Sequence, residues 1–385
     1  MQKFDITIVG GGLVGTMLAI ALKNTSFRVA LIEAHVPEFH PQAVRDTRSL
    51  ALSYASKKLI QNLGFWPEIE QFSTPIKKIH VSEEKKFSKV ILEANELNCD
   101  DFGHVIPIPL LYQTLQNHLI DNSQLTAIRP AKLTAIDYES ENKIWNLTLD
   151  SLPHSIQTTL LIAADGDHSF IRETLKLPTS KLDYHQTAVV STAKISEPHD
   201  NTAYERFTKE GVLAVMPRED QHVAIIWTTE NSNVENIKTH FLSKTQFSMG
   251  YKLGKFSEVG TIQTYPLKFL HAEKQTQPGL ILLGNAAHVL HPIAAQGLNL
   301  SLRDVSALSD LLTQYPDLQD PLFYFAYEKK READQKSSEN FTKDLIRIFG
   351  SHNPFIALFR SVGMLAFDMI PAAKRIFCLR RMGVV

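Results

Sequence analysis

Gly10, Gly12 and Gly15 follow an apolar run at 4–9 and stand just before a helical stretch at 17–22; a second apolar run, 28–32, ends on Glu33. Glycines at this G-x-G-x-x-G spacing allow a tight turn, bring backbone N–H groups up to a pyrophosphate and let the helix pack closely on the strand. The helix N-terminus adds free N–H groups and the positive end of its dipole. An acid about twenty residues on accepts hydrogen bonds from a ribose. The chain is therefore read as a dinucleotide binder. Glu33 would repel a 2′-phosphate, which disfavours NADP at this site and leaves FAD and NAD open.

The 385 residues carry 40 Lys+Arg against 41 Asp+Glu, a net charge of −1. That balance gives no basic field for nucleic acid and room for two domains. Cys99 and Cys378 form no metal or disulfide pattern, and the apolar N-terminus is itself the nucleotide strand. A cytoplasmic location is expected. No apolar run reaches bilayer length.

The elements that must position the glycine turn come in separated pieces. Residues 46–63 read as a polar loop and helix, 76–97 as a short exposed hairpin, and 112–120 as a helix after Pro107 and Pro109. A buried strand ends in Asp165-Gly166 ahead of a helix. Residues 188–227 alternate like strands, and a third strand-turn-helix unit begins at Leu280 with its helix from about Leu298. A nucleotide domain at 1–75, 100–180 and 270–345 is expected. It is interrupted by a mainly β domain at 76–99 and 181–269 and followed by a helical segment at 346–385.

The third unit carries Gly284-Asn285 and His291-Pro292-Ile293-Ala294-Ala295-Gln296-Gly297-Leu298-Asn299. With the N-terminal fingerprint and Asp165-Gly166, it resembles the aromatic hydroxylase family of flavoprotein monooxygenases. The stretch 184–188, Glu205-Arg206-Phe207-Thr208, Tyr265-Pro266-Leu267 and the run from His291 to Asp304 resemble its ubiquinone-biosynthesis branch across essentially the whole chain. The resemblance implies an α/β fold: a Rossmann-like FAD-binding domain of the p-hydroxybenzoate hydroxylase type, an interleaved mainly β substrate domain and C-terminal helices.

It also implies roles. Gly10, Gly12, Gly15 and Glu33 would hold the ADP half of FAD. Arg45 or Arg48 would lie near the pyrophosphate or flavin, and Gln113 would contact FAD. Asp165, Gly166 and Arg172 would serve the flavin–pyrophosphate region, joined by Gly284, Asn285 and Pro292. Backbone N–H groups of Gly297, Leu298 and Asn299 would stabilise charge on the flavin. The family pattern is departed from at Asn285, Ala295 and Ser301, where an Asp and two glycines are usual. Asn keeps an acceptor oxygen. A Cβ at 295 costs on the order of 1 kcal/mol if the position needs positive φ.

With no catalytic triad and no metal-ligand set, the cofactor must carry the chemistry. His288 and His291, three apart, read as loop-packing residues. The implied reaction is ring hydroxylation of a polyprenyl phenol, with NAD(P)H as transient co-substrate, oxygen activated at flavin C4a, and no side chain assigned as acid or base. A reductase or dehydrogenase on the same scaffold, or a non-catalytic flavoprotein in a quinone-biosynthesis assembly with other proteins of that pathway, are the alternatives. From 347 onward six Lys/Arg accompany one acid, Asp368, among large apolar residues. That segment reads either as a helix packed on its own domain or as a contact with the inner membrane or a partner through 350–385.

Overall fold

The strand Lys3–Val9 sits near the centre of an eight-stranded sheet, in parallel register with Val29–Ile32 on one side and Ile156–Ala163 on the other. Leu125–Ile128 and Leu280–Leu282 extend the parallel core outward, and the hairpin Leu133–Glu139/Ile144–Leu149 adds antiparallel strands. The central strands are continuous apolar runs because both faces are covered. Ile6 and Ile8 pack with the helices Leu13–Ala21, Ile108–Ile120 and Gln296–Gln314, while Phe4, Leu161 and Ala163 pack with the hairpin. The computed structural model describes residues 2–35, 48–120, 125–349 and 354–384.

A second sheet of nine strands is built around Thr179–Ile195, which pairs antiparallel with His222–Glu230 and Gln263–Ala272. The hairpin Lys78–Glu83/Lys89–Glu93 forms its far edge through a parallel pairing with Thr202–Thr208. That hairpin is therefore not merely exposed, as its charge implied: Val90 and Leu92 turn inward and are buried. The polar loop expected at 46–63 contains a further strand, Ser49–Ser53, before the helix Tyr54–Asn62. It pairs with Gly103–Pro107 in a three-stranded sheet, where Gly103 has φ +144° and a Cβ would meet the Leu52 carbonyl oxygen at 1.9 Å.

The long helix Pro321–Phe349 packs along Gln296–Gln314. Two more helices, Pro354–Asp368 and Pro371–Met382, close the chain and lie against the edge strand Lys89–Glu93. The Asp368 carboxylate accepts from the Ile91 N–H at 3.1 Å, and Lys374 Nζ donates to the Ile91 carbonyl at 2.9 Å. No helix among the described residues is long and apolar enough to cross a membrane.

Candidate active site

The glycine turn has one open side. Gly10, at φ +108°, runs against the next strand: a Cβ there would lie 2.2 Å from the Ala164 carbonyl oxygen. At Gly15 a Cβ would fall 2.0 Å from the Gly10 oxygen, so the helix can approach the strand only without a side chain. Gly12, by contrast, has no atom within 4 Å of its Cβ position and sits at the N-terminal cap of Leu13–Ala21. The first N–H groups of that helix have no intrahelical acceptor. Glu33 accepts from the Gly11 N–H at 2.5 Å through Oε2 and from the His35 N–H at 2.9 Å through Oε1. Each carboxylate oxygen keeps a second lone pair for a hydroxyl donor.

Tyr112, next to Gln113 on the same helix, donates to the Gly11 carbonyl at 2.8 Å. The helix Ile108–Ile120 buries Leu111, Leu115 and Leu119, so Gln113 falls on its exposed side. Arg48 is exposed, and its guanidinium lies 4.7 Å above the Tyr265 ring of the second sheet. Arg45 lies outside the described residues.

At the end of Ile156–Ala163, Gly166 takes φ +87° and Asp165 turns back. One Asp165 oxygen accepts from the Ile171 N–H at 3.2 Å; the other, Oδ1, is buried without a partner. Burial raises the pKa of this carboxyl above the ordinary value. Arg172 is almost wholly buried and donates to the Ala286 and Asp167 carbonyls at 2.9 and 2.6 Å. It ties the Asp165 turn to the Gly284 turn through the backbone. Gly284 has φ +63°, and Asn285 beside it is exposed.

Ala295 adopts φ +50°, ψ +36°, the left-handed conformation, and caps the helix Gln296–Gln314. Asn299 holds this cap with four hydrogen bonds. It donates to the Ala295 and Ala51 carbonyls at 2.7 and 2.8 Å, and accepts from the Ser53 N–H and the Ser56 hydroxyl, both at 2.8 Å. The Asn299 side chain is thus consumed in fixing the turn. Ser301 is buried and donates to the Gly297 carbonyl at 3.2 Å.

The two histidines have separate packing partners. His288 Nε2 is 2.6 Å from Asp304, whose other oxygen accepts from Arg331 Nε at 2.5 Å. Burial alone would raise the Asp304 pKa, but the charges of His288 and Arg331 hold it below the ordinary carboxylate value. Arg331 and Arg303 both reach Asp334, so the network pins Gln296–Gln314 to Pro321–Phe349. His291 accepts from the Ile293 N–H at Nδ1 (3.2 Å), so Nε2 carries the hydrogen and donates to Gln186 at 3.1 Å. Tyr184 meets its ring edge-on at 5.1 Å.

A cavity of about 930 Å³ begins at the first turn of Gln296–Gln314. It is walled by Pro292, Ala295 and Gly297 at that end and by Ile79, Leu92 and Met216 of the second sheet. Phe341, Met364, Phe367 and Phe377 of the last three helices close it. The lining is overwhelmingly apolar, and the volume lies at the upper end of the ~300–1,000 Å³ common for small-molecule sites. Sequence periodicity had no access to this wall, because its sides come from segments nearly 300 residues apart. Arg381 reaches the cavity with its guanidinium 3.7 Å from the Phe341 ring, while Arg360 is paired with Glu83.

An open phosphate-sized cradle at Gly12, a buried carboxylate oxygen without a partner at Asp165 and a helix start at Gly297 all fit a flavin dinucleotide. This combination of folds and turns defines a flavoprotein of the p-hydroxybenzoate hydroxylase type. The structure of p-nitrophenol 4-monooxygenase PnpA from Pseudomonas putida DLL-E4 superposes with a TM-score of 0.83 at 14% identity, covering 99% of each chain. The family model described as FAD binding domain matches residues 3–342, so the chain belongs to that family, and FAD is its cofactor. Ubiquinone hydroxylase UbiL of Rhodospirillum rubrum is 30% identical over 99% of this chain and 90% of that protein. The 3-demethoxyubiquinol 3-hydroxylase of Escherichia coli is 27% identical over 97% of each. By family and relatives the chain is an FAD-dependent monooxygenase, which sets aside the reductase and non-catalytic readings.

Proposed function

We propose that this enzyme hydroxylates the aromatic ring of a polyprenyl phenol of the 2-polyprenyl-6-methoxyphenol type in ubiquinone biosynthesis, using NAD(P)H and oxygen. The observation that carries the reading is the large apolar cavity opening onto the helix start at Gly297. Gly10, Gly12, Gly15 and Glu33 would hold the ADP half of FAD; Asp165, Gly166, Gly284, Asn285 and Pro292 would line its flavin side, with Arg172 acting through the backbone it ties. Arg45, Arg48 and Gln113 would contribute further contacts to FAD. The bound flavin supplies the oxygen activation that no side chain here can supply.

The chain's own contribution is positioning. The Ala295 cap and the Asn299 hydrogen bonds fix the first turn of Gln296–Gln314, whose N–H groups present a positive end to developing negative charge. Apolar walls exclude water and hold the ring within reach. The phenol hydroxyl itself feeds electron density to the attacked carbon. The 1–75, 100–180 and 270–345 segments would form the FAD domain and the 76–99 and 181–269 segments the substrate domain.

The C-terminal helices would rest on an anionic membrane surface through Arg375 and Arg380, which are exposed beside exposed Val362, Leu365, Met369, Ile370 and Ile376. Lys374 and Arg381 turn inward instead, Lys374 toward Glu96 and Asp368 at 3.3 and 3.5 Å. A series of substrates with increasing tail length tests the cavity assignment. Each buried methylene contributes about 0.8 kcal/mol, so KM should fall steeply with each isoprene unit until the cavity is full, with kcat nearly constant. A KM indifferent to tail length would remove the cavity from the account.

A further inference from the structure

Strand alternation turns Ile79, Val81, Val90 and Leu92 toward the cavity, and His80, Ser82 and Lys89 to the other face of the nine-stranded sheet. On that outer face the register sets Ser82 directly between Lys89 and Arg206, and His80 beside Tyr204. Arg206 Nη1 donates to the Ser82 hydroxyl at 3.1 Å, while its Nε is buried without an acceptor, as is His80 Nδ1. Lys252, just beyond the helix Phe241–Met249, brings its ammonium 5.2 Å from the centre of the Tyr204 ring; the His80 ring lies 5.5 Å from the same ring.

Three basic side chains thus converge on one spot, and among the described residues no carboxylate pairs with any of them. The neighbouring pair Lys78–Glu93, at 3.0 Å, is already neutral within itself. In a chain of net charge −1 this is an unbalanced arrangement. Burial, then the charges of Lys89 and Arg206, lower the Lys252 pKa, and burial together with Lys252 pushes His80 down to about 4. Like charges held together without a counter-ion are unfavourable until an anion joins them.

We infer that Lys89, Arg206 and Lys252, with the Ser82 hydroxyl and the His80 imidazole, form a binding site for a phosphate-type anion on the face of the sheet turned away from the flavin cavity. An Arg fork with two flanking ammonium groups suits a phosphomonoester or pyrophosphate, which offers several oxygens and about two charges, better than a single carboxylate. The site is independent of the hydroxylation reading. Its ligand is either a soluble phosphate or the headgroup of a lipid; exposed Phe247 and Tyr251 stand on the same helix end and beyond.

Pyrophosphate titrated calorimetrically into the FAD-loaded protein at low salt tests the site. Lys89 and Lys252 are exposed, so a K89Q/K252Q double variant keeps the fold. It should bind pyrophosphate at least tenfold more weakly, whereas R375Q/R380Q, which removes the same charge elsewhere, should change binding less than twofold. Turnover of a short-tailed phenol should be unchanged in both. Equal loss in the two variants, or no loss in K89Q/K252Q, would overturn the site. Vesicles containing phosphatidic acid or phosphatidylglycerol at matched surface charge identify the source. Selective loss of phosphatidic acid binding in K89Q/K252Q assigns a headgroup; unchanged vesicle binding beside weakened pyrophosphate assigns a soluble phosphate.

Discussion

Gly12→Ala separates what the glycine turn does for the fold from what it does for the cofactor. Gly12 has φ −69° and ψ −174°, extended backbone open to any residue, and nothing lies within 4 Å of a Cβ there. Replacing glycine by alanine at a compatible position restricts the unfolded chain and stabilises by about 0.4–1 kcal/mol. Alanine is a poorer N-cap than glycine by a similar amount. The two offset, so the apoprotein should unfold within about 1 kcal/mol of wild type in a urea titration. The methyl group, however, projects into the space a pyrophosphate must enter. Loss of one hydrogen bond to a charged oxygen costs about 1.5–3 kcal/mol, so FAD should bind roughly ten- to two-hundredfold more weakly by fluorescence titration. Gly10→Ala should do the opposite: with the Ala164 oxygen 2.2 Å from the new Cβ, the apoprotein itself should be destabilised. Unchanged FAD affinity in Gly12→Ala, or an apoprotein as damaged as that of Gly10→Ala, would refute the assignment of the open side to the cofactor.

Asn285→Asp, at an exposed turn position, should retain FAD and activity within about tenfold, equivalent to about 1.4 kcal/mol; expulsion of the flavin on spectroscopic titration would show that a neutral side chain is required there. His291, whose pKa burial lowers from 6.5 to about 4, is neutral in the fold while the unfolded chain takes up a proton below 6.5. Its contribution is fully present above pH 6.5 and is lost as pH falls toward 4, by about 3 kcal/mol. Urea midpoints across this window should therefore drop less for His291→Gln than for wild type, and parallel drops would contradict the burial argument. Arg375→Gln with Arg380→Gln should weaken binding to anionic vesicles, each charge being worth about 1 kcal/mol, and added salt should mimic the loss. Lys374→Gln should instead lower stability through its lost carbonyl and carboxylate partners, with turnover of a water-soluble phenol retained by the outer pair.

The features legible in the sequence are those with local causes. Gly10 and Gly15 are demanded by contacts within the first βα unit, and the Asp165-Gly166 and Gly284-Asn285 turns end strands whose apolar runs are unmistakable. At Ala295, where the family pattern has a glycine, the backbone takes the left-handed conformation that a glycine would favour. Long-range pairing hid the rest. Ser49–Ser53 is five residues long and finds its partner, Gly103–Pro107, only after two helices and the hairpin at 78–93 have intervened. The hairpin at 78–93 looks solvent-exposed until its parallel neighbour Thr202–Thr208 is in place. Some of the site was legible but unread. Helical phase sets Gln113 opposite buried Leu111 and Leu115, and the i, i+7 spacing of Lys374 and Arg381 puts both on one face of Pro371–Met382, away from Arg375 and Arg380. Taking the six basic residues from 347 onward as one set overlooks that phase.

The central claim is that oxygen from the gas enters the ring of a phenol held in the cavity beside Gly297. Mass spectrometry of the product formed from a short-tailed methoxyphenol, with reductant and isotopically labelled oxygen gas, tests it most directly. The account predicts one labelled oxygen atom per product molecule, formed only with the FAD-loaded protein. Reductant consumption without any label in the ring would contradict it.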